Sequence, residues 1–311
     1  MHFFEERVSL LLPWITELEA ANVGTVLANE PMAPHTYWKI GGPADALVIP
    51  ETKEQLVSIV RLAKEKQIPW FVLGKGSNLL VTDKGIRGIV IKLSDALDYA
   101  RFEDNIVYAG AAFSLIKLAI LANKRGLSGL EFAGGIPASI GGAVFMNAGA
   151  HGSEMSRILK QAEVLQDNGE WAILQNEELQ YSYRHSILQE RSAIVTEAVL
   201  ELVPGDPKKI TEAYAVNRER RLKTQPLSLA VAGSVFRNPP GHYAAQLIEA
   251  SGLKGKRVGG AEISTLHANF IINTGQATAE DVLTLIDHIQ KVIGQKYDVK
   301  LVPEVLVVGE R

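Results

Sequence analysis

Apolar residues recur along this chain at two spacings, and the spacing assigns the elements. Residues 5–21 read as an amphipathic helix, kinked or split at Pro13. Short apolar runs at residues 46–49 and 70–73 read as buried strands. Between them, Thr52 with Gln55 makes a capping box for a helix through about Gln67, so this is a β-α-β unit with its two strands expected parallel. Strands are also expected at residues 88–93 and 106–109. Ser114 can cap a helix through about Arg125, with Gly126 as its left-handed stop.

Residues 131–152, EFAGGIPASIGGAVFMNAGAHG, break this pattern. Glycines fall at 134, 135, 141, 142, 149 and 152 with almost no charge between them. A helix is not expected there, because each glycine costs about 1 kcal/mol in a helix interior. A flexible linker would be more polar. Such a loop must find partners for its own N–H and C=O groups. It is expected to lie against an acceptor-rich ligand such as a nucleotide pyrophosphate, which bare backbone can approach. Tight turns in an ordinary core fit the same letters.

Beyond it, Asp167-Asn168-Gly169 joins residues 161–166 and 170–174 in a hairpin, and residues 193–202 read as a long strand. Pro204-Gly205-Asp206-Pro207 marks a boundary, and Asp206 and Pro207 start a charged helix to about Lys223. A helix near residues 243–251, strands near 257–263 and 269–273, a helix from Thr278 to about Gly294 and a strand over 300–308 complete the chain. The layout is α+β in at least two parts, divided near residue 205.

Composition narrows the function. A length of 311 residues suggests about two domains. A net charge of −3 without a long basic run gives nucleic acid no electrostatic footprint. Cysteine is absent, which excludes disulfides, thiolate chemistry and cysteine-ligated metal and suits a reducing cytosol. Glu5, Glu6 and Pro13 do not suit a secretory signal, and no apolar run reaches the roughly 18 residues of a membrane span. A soluble cytoplasmic protein is expected. The seven histidines show no metal-ligand spacing, so no metal is expected.

Gly74-Lys75-Gly76-Ser77-Asn78 follows a strand and could form an anion-binding nest. It matches neither the dinucleotide fingerprint, where Leu79 replaces the third glycine, nor the Walker A loop, where Gly76 follows Lys75. A plain strand-to-loop turn fits it too. Pro137-Ala138-Ser139-Ile140-Gly141 lacks the first glycine of a nucleophile elbow. Arg184 lies among aromatics, Ser234 lies between apolar neighbours, and Glu304 interrupts the terminal strand. Singly these read as an ion pair, a turn serine and an edge carboxylate. Together they are a cation, a hydroxyl and an acid suited to an anionic intermediate.

The segments HTYWKIGGPAD, GKGSNLL, GLEFAGGIPASIGGAVFMNAGAHG, YSYRHS, AGSVFRNP, HANFIIN and LVPEV occur in this order. In this they resemble the UDP-N-acetylenolpyruvoylglucosamine reductase (MurB) family, from about residue 31 to the C-terminus. The resemblance implies noncovalent FAD in a two-subdomain fold of the vanillyl-alcohol-oxidase (PCMH) type, plus a smaller α+β substrate-binding domain. The expected divisions are 1–97 and 98–205 for the FAD-binding subdomains, 206–295 for the substrate-binding domain, and 296–311 for a terminal strand carrying Glu304. FAD contacts carry over to Gly74, Lys75, Gly76, Ser77, Asn78 and Leu79. They also carry over to Gly134, Gly135, Ile136, Pro137, Ala138, Ser139, Gly141, Gly142, Asn147 and Gly149. The implied reaction has NADPH reduce FAD and leave, after which a UDP-sugar enolpyruvyl ether enters the same cleft and is reduced at C3. Arg184 matches the carboxylate-binding arginine, Glu304 the enol-stabilising glutamate and Ser234 the proton donor to C2. Tyr183, Asn238, His267, Gln225 and Arg221 match or flank substrate contacts. The family often has Pro-Ser or Asn where this chain has Ala230-Val231. The short connection after Arg184 resembles the subclass lacking an extra tyrosine loop, and a monomer or weak dimer is expected. Two other readings fit an FAD-type fold. One is an oxidase that tethers flavin through His35, and the other is a noncatalytic nucleotide-binding module.

Overall fold

The computed structural model describes residues 12–93 and 95–311. The first part of the helix expected over residues 5–21 falls outside these. Helix α1, Pro13–Ala20, is opened by its proline, whose missing N–H is no loss in a first turn.

The first unit holds β1 (Thr25–Pro31), β2 (Pro43–Ile49), α2 (Lys53–Glu65), β3 (Trp70–Leu73), β4 (Leu79–Val81) and β5 (Ile86–Lys92). Its sheet runs β1-β2-β5-β3. Strands β2 and β3 are each parallel to β5, which lies between them. Helix α2 starts where Thr52 Oγ1 accepts from the Gln55 N–H at 3.2 Å, and it buries Leu56, Ile59, Val60 and Ala63. Strand β1 was not expected, and it pairs antiparallel with β2 at the sheet edge.

The second unit contains β6 (Ala100–Glu103), β7 (Ile106–Gly110), α3 (Leu115–Lys124), β8 (Leu127–Ser128), α4 (Ile140–Phe145), β9 (Gly149–Ala150), β10 (Ser153–Glu154), β11 (Leu159–Gln166), β12 (Trp171–Gln175), β13 (Ala193–Glu201) and β14 (Val203–Pro204). Five strands form an antiparallel sheet in the order β12-β11-β13-β7-β6. The expected hairpin turns at Gly169, whose φ is 77°. One expectation fails: α4 lies inside the glycine-rich stretch. Ser139 Oγ caps it by accepting from the Gly142 N–H at 3.3 Å. Gly141 and Gly142 occupy its first turn, and its six residues are held by packing rather than by propensity.

The remainder comprises α5 (Pro207–Thr224), α6 (Ala244–Ala250), β15 (Arg257–Val258), β16 (Ala261–Ile263), β17 (Ile271–Asn273), α7 (Ala279–Tyr297) and β18 (Leu306–Val308). The strand expected over residues 257–263 is a hairpin, because Gly259 turns the chain at φ 50°. Of the strand expected over 300–308, only β18 pairs regularly, running parallel to β4 of the first unit. The core of this part is built from α6, α7, β16 and β17, and it takes in Trp38 and Leu80 from the first unit. Trp38 Nε1 donates to the Ile271 carbonyl at 2.7 Å. The Asp83 carboxylate accepts from the Ala279 and Glu280 N–H groups at 2.8 and 3.0 Å, capping α7 from the first unit.

Candidate active site

A cleft of about 1460 Å³ opens where the three parts meet. That exceeds the roughly 300–1,000 Å³ of a drug-sized ligand's pocket. Residues 74–79 form one wall, and residues 134–139 with Gly141, Gly142 and Gly149 form another. The N–H groups of Lys75, Gly76, Ser77 and Asn78 meet no acceptor among the described residues, nor do those of Gly135 and Ser139. A lined but unsatisfied set of main-chain donors calls for a ligand rich in acceptors.

The glycines at 134 and 135 have a second cause. Helix α5 presents Ile210, Tyr214, Asn217 and Arg221 at spacings of four, three and four residues. This stripe lies on the loop: Asn217 Nδ2 donates to the Glu131 carbonyl at 3.1 Å. A Cβ on Gly134 would stand 2.7 Å from the Tyr214 ring, and one on Gly135 would stand 2.8 Å from Arg221 Cδ. The missing side chains therefore seat the helix. Burial, with the Arg184 charge close by, pulls the Arg221 guanidinium down to about 10, and Arg221 lines the cleft. It stays charged at neutral pH and gains from an anion.

Arg184 sits at the tip of a tight turn. Ser182 and His185 exchange N–H···O bonds of 3.1 Å, and Asn147 Nδ2 donates to the Ser182 carbonyl at 3.0 Å. Arg184 adopts φ 57°, the left-handed region that non-glycine residues enter only when their surroundings force it. Its Nε donates to Glu304 Oε1 at 3.0 Å and its Nη2 donates to the Gly149 carbonyl at 2.6 Å. Both charged side chains are only 17% exposed. The Tyr183 ring lies 4.9 Å from the guanidinium carbon.

Ser234 and Glu304 lie on two neighbouring extended segments. The Glu304 N–H donates to the Val235 carbonyl at 2.7 Å and the Arg237 N–H to the Val302 carbonyl at 2.9 Å. Buried Asn269 clamps the first segment from behind: its Oδ1 accepts from the Phe236 N–H at 3.0 Å and its Nδ2 donates to the Phe236 carbonyl at 2.8 Å. Asn78 Nδ2 donates to the Glu304 carbonyl at 3.0 Å, which ties the 74–79 turn to the acid. The Ser234 hydroxyl makes no hydrogen bond with the described residues and lines the cleft. Burial pushes the Glu304 carboxyl above its ordinary value, against the opposing pull of Arg184 and Arg237.

Tyr183, Asn238, His267, Gln225 and Arg221 also line the cleft, so of the residues that the reductase resemblance singled out all but Asn147 are gathered there. Asn147 is fully buried; beside its bond to Ser182, its Oδ1 accepts from the Ser156 N–H at 3.0 Å. It shapes the Arg184 turn rather than the cleft wall. Asn238 spends its Oδ1 on the Ala244 N–H at 3.0 Å, and Gln225 Oε1 accepts from Arg221 Nε at 3.2 Å. The His267 imidazole is depressed by burial and by Lys254, and its Nδ1 accepts from the Asn269 N–H at 3.3 Å. A neutral ring there carries its proton on Nε2. His35, the candidate flavin tether, is not a lining residue; its Nε2 meets Glu30 at 2.9 Å and its Nδ1 meets Lys92 at 3.3 Å. Sequence reasoning missed Asn269 and Arg237, whose contacts are spatial and leave no spacing signal.

A family model for the FAD binding domain matches residues 44–175, and one for the UDP-N-acetylenolpyruvoylglucosamine reductase C-terminal domain matches residues 225–308. The UDP-N-acetylenolpyruvoylglucosamine reductase of Bacillus subtilis (strain 168) is 50% identical over 296 residues, covering 95% of this chain and 98% of that protein. The chain belongs to this reductase family. The corresponding protein of Bacillus pumilus (strain SAFR-032) is 52% identical over 295 residues, 94% of this chain and 97% of its own. The crystal structure of the reductase (MurB) from Thermus caldophilus superimposes with a TM-score of 0.80 at 38% identity, over 92% of this chain and 98% of that one. The α+β fold with its FAD-binding part stands as expected, and the protein is a flavin-dependent oxidoreductase of the reductase family. FAD suits the cleft: its pyrophosphate and ring carbonyls supply the acceptors that the free main-chain donors lack.

Proposed function

We propose that this chain uses noncovalent FAD and NADPH to reduce UDP-N-acetylglucosamine enolpyruvate to UDP-N-acetylmuramate, a cytoplasmic step of peptidoglycan precursor synthesis. One observation carries this reading. A buried arginine, a buried acid and an unengaged serine hydroxyl, from three distant stretches of sequence, line a cleft walled by bare main chain. A noncatalytic nucleotide-binding module needs no such set, and an oxidase tethered through His35 would need that ring in the cleft.

Bound FAD supplies a hydride donor, which no side chain can. In the substrate, C3 gains the hydride and C2 a proton, so the enolpyruvyl ether becomes a lactyl ether. Negative charge builds toward C2 and its carboxylate on the way. Arg184 meets that carboxylate with the N–H groups not held by Glu304 and Gly149, and the planar fork fixes its orientation. Glu304, with its pKa raised by burial, keeps a proton to higher pH than an exposed glutamate and hydrogen-bonds the enol form. Ser234 donates the proton to C2. Its hydroxyl needs no lowered pKa, because a carbanion-like carbon is a strong base. Arg221 offers its charge to the diphosphate.

The test is anaerobic. The purified protein carries yellow flavin, NADPH bleaches it, and adding UDP-N-acetylglucosamine enolpyruvate restores the colour while forming UDP-N-acetylmuramate. A protein that takes up no FAD, or a reduced flavin that the enolpyruvyl substrate leaves bleached, refutes the proposal.

A further inference from the structure

Arg237 is a half-buried cation that the mechanism above does not use. It follows Ser234 by three residues, on the segment paired with the one carrying Glu304. Phe236 stands opposite Pro303, so Arg237 and Glu304 are diagonal neighbours on one face, within reach for a long side chain. Arg237 Nη2 points to the Arg184 carbonyl at 3.4 Å, where Gln189 Nε2 also donates at 3.1 Å. Its Nε is buried and has no hydrogen-bond partner among the described residues. Leaving such a donor unmade costs about 1–3 kcal/mol, and more on a charged group. The residue is thus held in place at a cost, between the strained Arg184 turn and the acid.

We infer that Arg237 is a positioning residue for the reduction step: it grips the Arg184 turn through its carbonyl and is the second counter-charge of Glu304. The inference rests on the proposed function. While the cleft holds no substrate, Arg184 is the ion-pair partner of Glu304. Once the Arg184 guanidinium turns to a substrate carboxylate, Glu304 stays buried with that attraction weakened. The charged groups acting on Glu304 are Arg184 from the turn and Arg237 from the neighbouring segment. Arg237 has an N–H unpartnered among the described residues and ready to take over, so the acid does not swing out of the cleft. A leucine or methionine would fill the same space without that orphan donor.

Arg237→Met and Arg237→Lys test this on flavin-loaded protein reduced with dithionite, so that the choice of nicotinamide cofactor plays no part. For Arg237→Met, reoxidation by the enolpyruvyl substrate should slow about 10- to 100-fold, within the range of lost charge-assisted hydrogen bonds. The pH limb belonging to Glu304 should move upward, because a lowering charge is gone. Arg237→Lys should restore the limb and only part of the rate. In the flavin-free protein, Glu304→Gln should recover part of the melting temperature lost in Arg237→Met, since the buried charge left behind is removed with it. A wild-type rate and pH profile in Arg237→Met overturns the inference. So does additive loss of melting temperature in the double variant, or equal slowing of flavin reduction and reoxidation, which would mark a purely structural role. Failure of the wild-type protein to reoxidise would instead overturn the proposed function.

Discussion

Ser234→Ala removes one oxygen from the cleft wall, and its consequences for stability and rate separate cleanly. The hydroxyl makes no hydrogen bond with the described residues, so no protein donor or acceptor is orphaned by its loss. The strand around it is held by main-chain bonds to residues 302–304 and by Asn269, none of which involves the serine side chain. Stability should therefore change by no more than about 0.5 kcal/mol, within the range of substitutions away from structural features. That is a shift of about 2 °C or less in Tm for a protein this size. The rate is another matter. If the hydroxyl hands the proton to C2, its removal withdraws a general acid and costs about 10²–10⁴-fold, or roughly 3–5 kcal/mol of barrier. The loss must fall on one half of the cycle only. Stopped-flow absorbance of the flavin should show wild-type bleaching by NADPH and slow reoxidation by UDP-N-acetylglucosamine enolpyruvate. Normal reoxidation would refute the proton-donor role. A fall of several degrees in Tm with both half-reactions slowed would show that the serine holds the fold together.

Three further outcomes follow from the same geometry. Arg184→Lys keeps the charge but cannot hold Glu304 and Gly149 together while meeting a carboxylate, so reoxidation should slow about 10- to 100-fold in the same assay with flavin content unchanged. Gly134→Ala drives a methyl into the Tyr214 ring and should cost about 1–3 kcal/mol in denaturant unfolding; Tyr214→Ala in the same chain should recover part of it, and simple additivity would rule out helix docking as the cause. Glu304 has a native pKa above the ordinary glutamate value of 4.5, so the native state holds this proton longer than the unfolded chain. Its contribution to stability is full below 4.5 and is lost as pH rises through the native value, so the Tm of Glu304→Gln should fall less than that of wild type as pH is raised from 4.5 toward 7.

Where local chemistry decides structure, the sequence was readable. The Thr52, Ser114, Asp206 and Thr278 caps each stand where a helix starts, and Gly169 turns the hairpin it was expected to turn. Strand β1 was missed because its apolar run, Val26 to Ala28, is three residues long and is followed by Asn29, Glu30 and Pro31, although all three apolar side chains pack on the core. Helix α5 shows the deeper limit. Its inward stripe is buried Ile210 with half-buried Tyr214, Asn217 and Arg221, which no apolar periodicity would flag. The stripe is partly polar because it lands on bare backbone, where the Asn217 amide bonds the Glu131 carbonyl, and its last member, Arg221, lines the cleft. The glycines at 134 and 135 looked like the mark of a ligand, yet their missing side chains make room for that helix. The physical mark of a ligand is the set of N–H groups, from Lys75 to Asn78 and at Gly135 and Ser139, that meet no acceptor among the described residues. That mark depends on the absence of a partner in space, which a string of letters does not encode. Sparse side chains made the two loops look alike in sequence; both line the cleft with free N–H groups, and the glycines at 134 and 135 make room for a helix as well.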